Sequence, residues 1–152
     1  MSAHNEIERK FLLEKVPDGL DRWPHVEIAQ GYLANDSHAE ARLRQIGKDR
    51  LITVKISRSD FRIETEVALS EEQFCQLWPA TEGRRLRKTR YRIPYEGHTI
   101  EVDVYQGKNT GLMVAEIEFP DQNSRQQFKK PEWFGAEISG RKEFSNQALA
   151  TE

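Results

Sequence analysis

The feature that most constrains this chain is a two-residue alternation of charged with aliphatic or aromatic side chains, recurring from one end to the other. It opens in Glu6-Ile7-Glu8-Arg9-Lys10-Phe11. Extended as a strand, this run places Glu6, Glu8 and Lys10 on one face and Ile7, Arg9 and Phe11 on the other. Carboxylates two residues apart on a strand sit roughly 7 Å apart, which lets both reach one hard divalent cation and its waters, while the lysine suits a phosphate. A single such triplet is also what a solvated amphipathic strand carries, so its weight comes from repetition.

The repetition is extensive. Glu40, Arg42 and Arg44 alternate with Ala41 and Leu43; Thr53, Lys55 and Ser57 with Ile52, Val54 and Ile56; Arg62, Glu64 and Glu66 with Ile63, Thr65 and Val67. Further on, Lys88, Arg90 and Arg92 oppose Thr89, Tyr91 and Ile93, Glu101, Asp103 and Tyr105 oppose Ile100, Val102 and Val104, and Glu116 and Glu118 oppose Ala115, Ile117 and Phe119. With an extended stretch over 26–34 the pattern predicts eight strands. Short links join them, among them the tight turn Gly47-Lys48-Asp49-Arg50 and the break at Gly97, which favours an antiparallel meander over βαβ units. Helices are expected at 71–78, where Ser70 and Gln73 frame a start signal, at 124–130 and near 146–150. The Pro- and Gly-bearing stretch 14–24 reads as a loop with one short helical turn.

At 152 residues the chain reads as a single domain, 1–152. Charged residues are 32% of it, yet 23 basic and 25 acidic side chains nearly cancel to −2, so no basic excess advertises nucleic acid or an anionic membrane. One cysteine, Cys75, excludes an intramolecular disulfide and, lying in a helical pattern, reads as core packing. No apolar run approaches 18 residues, and a cytoplasmic location is expected. None of the four histidines has metal-ligand spacing to another, and neither a Walker-type glycine loop nor a Ser or Cys nucleophile motif is present.

Two arrangements satisfy the alternation. In one, the aliphatic face of a curved sheet covers a core and the charges meet water, where each salt bridge contributes little. In the other, the sheet closes into a barrel with the charged face inward and helices over the aliphatic outside. Carboxylates in pairs and arginines in pairs favour the second. Such a lumen cannot be dry, because burying ions without partners costs several kcal/mol each, against a stability of roughly 5–15 kcal/mol for a whole domain. A wet interior dense in both signs suits a strongly anionic ligand accompanied by metal cations, a polyphosphate compound.

Eight sequence blocks, in order, resemble the CYTH domain family, also called triphosphate tunnel metalloenzymes: Glu6, Glu8 and Lys10 as ExExK; Gly31 to Leu33; Arg42 to Arg44; Lys55; Glu64 to Glu66; Lys88 to Tyr91; Glu101 to Asp103; and Glu116 to Glu118. The resemblance runs from Asn5 to about Ala150. It implies a mainly β fold, an eight-stranded antiparallel closed barrel with a polar interior and a few helices packed outside. It further implies divalent-metal-dependent hydrolysis of a triphosphate, with Mg²⁺ or Mn²⁺ as cofactor and a small-molecule triphosphate as partner. Glu6, Glu8 and Glu118 correspond to ligands of the catalytic metal, with Glu116 and Asp103 beside them or on a second ion. Lys10, Arg42, Arg44, Lys55, Lys88 and Arg90 correspond to a triphosphate clamp. Glu64 and Glu66 would orient the cations, join a second metal shell or activate water, and Tyr32 either touches substrate or packs. Inorganic tripolyphosphate is the favoured substrate, since no extra segment offers a base pocket. A class IV-type adenylate cyclase is the alternative, followed by a thiamine, nucleoside or RNA triphosphatase and a polyphosphate-binding module without turnover. A homodimer is compatible with all of these.

Overall fold

In the structure, a computed structural model described for residues 2–4, 7–57 and 62–152, the alternation becomes strand register. Glu6 lies outside the described residues. The strands are β1 (Ser2–His4), β2 (Glu8–Leu12), β3 (His25–Asn35), β4 (Ala39–Ile46), β5 (Asp49–Ser57), β6 (Arg62–Ala68), β7 (Arg85–Tyr95), β8 (His98–Tyr105) and β9 (Met113–Glu118). All pairings are antiparallel, in the order β1-β6-β5-β4-β3-β7-β8-β9-β2. The eight strands expected from sequence are all present. Ser2–His4 adds a ninth on the free side of β6, where a short segment pairs with only Arg62 to Glu64.

Three short helices follow: α1 (Glu71–Leu77), α2 (Gln122–Gln127) and α3 (Asn146–Leu149). The expected start signal of α1 forms a capping box, with Ser70 and Gln73 each accepting from the other's backbone N–H. Cys75 departs from expectation: it lies on the exposed side of α1, where Phe74 takes the buried position instead.

The apolar residues split into two layers because strand side chains alternate. One face of β7, β8, β9 and β2 contributes Ile93, Ile100, Val102, Ala115, Ile117 and Phe11, and is covered by Leu20, Phe128 and Phe134 from the connecting segments. On the opposite, charged face, the residues at one end of the strands turn apolar. Tyr32, Leu86, Tyr105 and Val114 meet Ile138 and Ala150 there, with Leu12, Phe144 and Leu149 packed against them. The charged interior thus has an apolar floor supplied partly by the C-terminal segment. Gly31 marks one tight approach beside it: a Cβ there would lie 2.5 Å from the Cβ of the fully buried Thr81, so only glycine lets the 78–81 turn seat on β3.

Candidate active site

A cavity of about 320 Å³ lies on the charged face. Most of its lining side chains come from six strands at alternate positions: Glu8 and Lys10 of β2, Gln30 and Tyr32 of β3, Glu40, Arg42 and Arg44 of β4, Lys55 of β5, Lys88 and Arg90 of β7, and Glu116 and Glu118 of β9; Ser145, Asn146 and Gln147 come from the C-terminal segment. Register explains the convergence. Glu8 faces Glu118 and Lys10 faces Glu116 across the β2–β9 ladder, Tyr32 faces Arg42 and Gln30 faces Arg44 across β3–β4, and Lys55 faces Glu40 across β4–β5. A one-residue irregularity in β3 between Tyr32 and Ala34 keeps Tyr32 opposite Arg42 while re-aiming the chain beyond it. In sheet order Lys55, Arg42, Arg44, Lys88 and Arg90 occupy β5, β4 and β7, whereas Glu116, Glu118 and Glu8 occupy β9 and β2. The wall is therefore mainly basic on one side and mainly acidic on the other, with Glu40 of β4 and Lys10 of β2 as the exceptions.

The acidic residues of the alternation separate into two groups. Asp103 is 4% exposed and accepts from Lys88 Nζ at 2.8 Å, from Arg90 Nε at 2.8 Å and from a second Arg90 nitrogen at 3.0 Å. Asp103, expected beside the metal or on a second ion, thus has both carboxylate oxygens engaged by cations and is not among the residues lining the cavity. Burial alone raises its carboxyl, but Lys88 and Arg90 together hold it well below the usual carboxylate range. Glu66 accepts from Arg44 at 3.0 Å and Glu64 stands 3.8 Å from Lys55. Neither Glu64 nor Glu66 is among the residues lining the cavity; each stands beside a cation that is, Lys55 and Arg44 respectively. Glu101 likewise pairs with Arg90 at 3.3 Å and Arg92 at 3.6 Å.

The cations are held under tension. Lys88 is 1% exposed, and burial pushes its ammonium down against the opposing pull of Asp103, to about 8. Burial and the neighbouring Arg42 lower Arg44 despite Glu66, while Asp103 more than offsets the burial of Arg90 and raises it. Nε of Arg42 and Nε of Arg44 are buried with no hydrogen-bond partner among the described residues. An orphaned buried guanidinium donor costs free energy unless an acceptor arrives, and phosphate oxygens match its fork geometry.

Five lining residues, Gln30, Glu40, Ser145, Asn146 and Gln147, were not assigned to the site from sequence, besides Tyr32, whose role the sequence left open. Gln30 donates to the Tyr32 hydroxyl at 3.0 Å and is one strand repeat from it, so parity could have found it. Glu40 shares parity with Arg42 and Arg44, lies 4.0 Å from Arg42 and accepts from Gln147. Asn146 accepts from the Tyr105 hydroxyl at 2.7 Å and from Lys88 Nζ at 3.4 Å, and Ser145 flanks it. These tail residues sit on a helix of one turn, too short to leave a periodic signal.

Among the described residues no group of three or more His, Cys, Asp or Glu is gathered closely enough to hold a metal ion. Glu8 and Glu118 stand directly opposite each other across the β2–β9 ladder with Glu116 two residues along, and carboxylate oxygens are the donors a hard cation takes. Magnesium is held typically by one or two carboxylates, with waters and substrate phosphate oxygens completing its octahedron.

Sheet and cavity define a class: an antiparallel β scaffold whose charged face carries a cavity lined by arginines, lysines and glutamates. The CYTH domain family matches residues 4–146, and the chain belongs to that family. It is 43% identical over 148 residues to an inorganic triphosphatase of Nitrosomonas europaea, covering 95% of this chain and 96% of that one. An inorganic triphosphatase of Acetivibrio thermocellus is 36% identical over 150 residues, covering 95% and 92%. Among solved structures, the crystal structure of an inorganic triphosphatase at 42% identity superposes with a TM-score of 0.77 over 98% of this chain and 96% of the other.

Proposed function

We propose that the protein is a divalent-metal-dependent inorganic triphosphatase that hydrolyses tripolyphosphate by water attack on a terminal phosphoryl group. The observation that carries this is the pair of buried, unpartnered guanidinium donors of Arg42 and Arg44 in a cavity that faces Glu8, Glu116 and Glu118. Relatives named inorganic triphosphatase at 43% and 36% identity support it.

Phosphoryl transfer asks little covalent work of the protein: it needs the equatorial oxygens neutralised and the nucleophile in line. Arg42, Arg44, Lys55, Lys88, Arg90 and Lys10 would supply the neutralisation. Their acid partners Asp103, Glu64 and Glu66 fix their geometry in advance, so little reorganisation is needed on binding. Glu8, Glu118 and Glu116, joined by Glu6, would hold Mg²⁺ or Mn²⁺, which supplies Lewis-acid polarisation of the phosphate and a more acidic bound water. Among the described residues, the cavity wall lacks a flat aromatic platform for a base other than Tyr32, whose hydroxyl is engaged by Gln30. That favours an inorganic chain over a nucleotide.

Closure of the sheet belongs to this reading. β1 and β2, at opposite edges, are consecutive in the chain, with three residues between them, which favours a barrel sealed through its own N-terminal strand. A cytoplasmic location rests on the single cysteine. Incubation with Mg²⁺ and either tripolyphosphate or ATP tests the activity. Orthophosphate from tripolyphosphate is the expected result; cyclic AMP with pyrophosphate from ATP would replace it with the cyclase reading.

A further inference from the structure

β2 carries Glu8 and Lys10 yet has a strand on only one side over Glu8–Leu12. Even-numbered residues of β2 aim their side chains at the cavity and their backbone groups away from β9, toward an edge that lacks a ladder. The Glu8 carbonyl and both backbone groups of Lys10 and Leu12 on that edge instead meet the segment 125–139. The Glu8 carbonyl accepts from Arg125 Nε at 3.1 Å, the Lys10 N–H donates to Ser139 Oγ at 3.0 Å, and the Lys10 carbonyl accepts from the Ile138 N–H at 2.8 Å. The Leu12 N–H donates to the Ala136 carbonyl at 2.9 Å, and the Leu12 carbonyl accepts from the Gly135 N–H at 2.7 Å. Gly135 permits this contact, because a Cβ there would stand 2.8 Å from the Leu12 oxygen.

One acidic residue ties the segment to the strand. Glu137 takes Arg9 in a two-pronged pair at 2.7 and 3.0 Å and accepts from Ser139 Oγ at 2.7 Å, while Arg9 also donates to the carbonyls of Arg125 and Phe128. The Ser139 hydroxyl is therefore oriented by Glu137 with its lone pairs toward Lys10. Phe11 packs the odd-numbered face of the strand into the core, but Glu8 and Lys10 border a second cavity of about 220 Å³, bounded by Arg125, Ser139 and Gly140, besides the first. With space around these two side chains, the hydrogen bonds along this backbone edge bear on their depth.

We infer that Glu137 and Ser139 are positioning residues that, through Arg9 and the Lys10 N–H, hold β2 at the depth where Glu8 can share a divalent cation and Lys10 can meet phosphate. This deepens the triphosphatase reading and rests on it. Misplacement by about 1 Å at a site built on charge geometry costs on the order of 100-fold in rate, so a partial release should be visible.

The test compares wild type, Glu137→Gln, Ser139→Ala and Ser139→Thr. Rates are measured on tripolyphosphate with Mn²⁺, Mn²⁺ binding by calorimetry without substrate, and amide exchange at Lys10. The inference expects Ser139→Ala and Glu137→Gln to lower kcat about tenfold, weaken Mn²⁺ binding several-fold, speed exchange at Lys10 and change KM little. Ser139→Thr, which keeps the hydroxyl, should restore all of these. Phe74→Leu, in the core of α1 beside Trp78, serves as a comparator of similar Tm loss that keeps wild-type kcat. Variants that lose Tm while retaining wild-type kcat, Mn²⁺ affinity and Lys10 exchange would overturn the inference. A wild type without tripolyphosphate turnover would overturn the function instead, and exchange at Lys10 would still decide the anchoring.

Discussion

Replacing Asp103 by Asn changes one oxygen for one nitrogen and leaves two buried cations without their shared anion. Lys88 and Asp103 are 1% and 4% exposed, and three hydrogen bonds between 2.8 and 3.0 Å join the carboxylate to Lys88 and Arg90. Removing one partner of a buried pair costs about 3–5 kcal/mol, most of it the desolvated charge left behind. Arg90 retains Glu101 at 3.3 Å, which places the expected loss at the lower end, about 3 kcal/mol. For a domain near 150 residues that corresponds to a Tm lower by about 6–12 °C. Thermal unfolding at pH 7 followed by circular dichroism reads it directly. Adding tripolyphosphate without metal should recover more Tm in the variant than in wild type, because the ligand supplies the missing negative charge. A Tm within about 2 °C of wild type would refute the reasoning, since the cations would then not depend on Asp103.

The pH dependence of Lys88 has a defined sign. With its native pKa at about 8, against 10.5 as the ordinary value, the unfolded chain binds the extra proton between those limits. The unfavourable contribution is complete below pH 8 and is relieved as pH rises to 10.5, approaching ~3 kcal/mol at about 1.4 kcal/mol per pH unit. Urea unfolding at pH 7.5 and 9.5 should show wild type gaining on Lys88→Met over that interval; parallel behaviour would remove the buried ammonium as the cause. Arg44→Ala should weaken tripolyphosphate binding by about 1.5–3 kcal/mol, roughly 10- to 150-fold in Kd, by calorimetry. Glu118→Gln should abolish most metal-dependent turnover, whereas Glu66→Gln, whose side chain is 45% exposed, should cost under about 1 kcal/mol of stability and leave turnover measurable. Reversed effects in a tripolyphosphatase assay would exchange the roles of cavity acid and counterion.

The sequence alone determined the strands, their antiparallel order of succession and the face each side chain takes, because a period of two is set by backbone geometry and survives any tertiary arrangement. That is why Lys10, Arg42, Arg44, Lys55, Lys88, Arg90, Glu8, Glu116 and Glu118 were legible as one surface before any coordinates, and why all of them line one cavity. Parity cannot say which acid faces a cation and which faces open space. That distinction depends on position along the strands and on the neighbouring strand, so only the tertiary structure set Asp103, Glu64 and Glu66 against cations and left the acids of β2 and β9 in the cavity lining. The tail was equally invisible. Ser145, Asn146 and Gln147 reach the cavity, and Glu137 and Ser139 brace β2, through contacts more than 100 residues apart in several cases, for which local sequence holds no periodic trace.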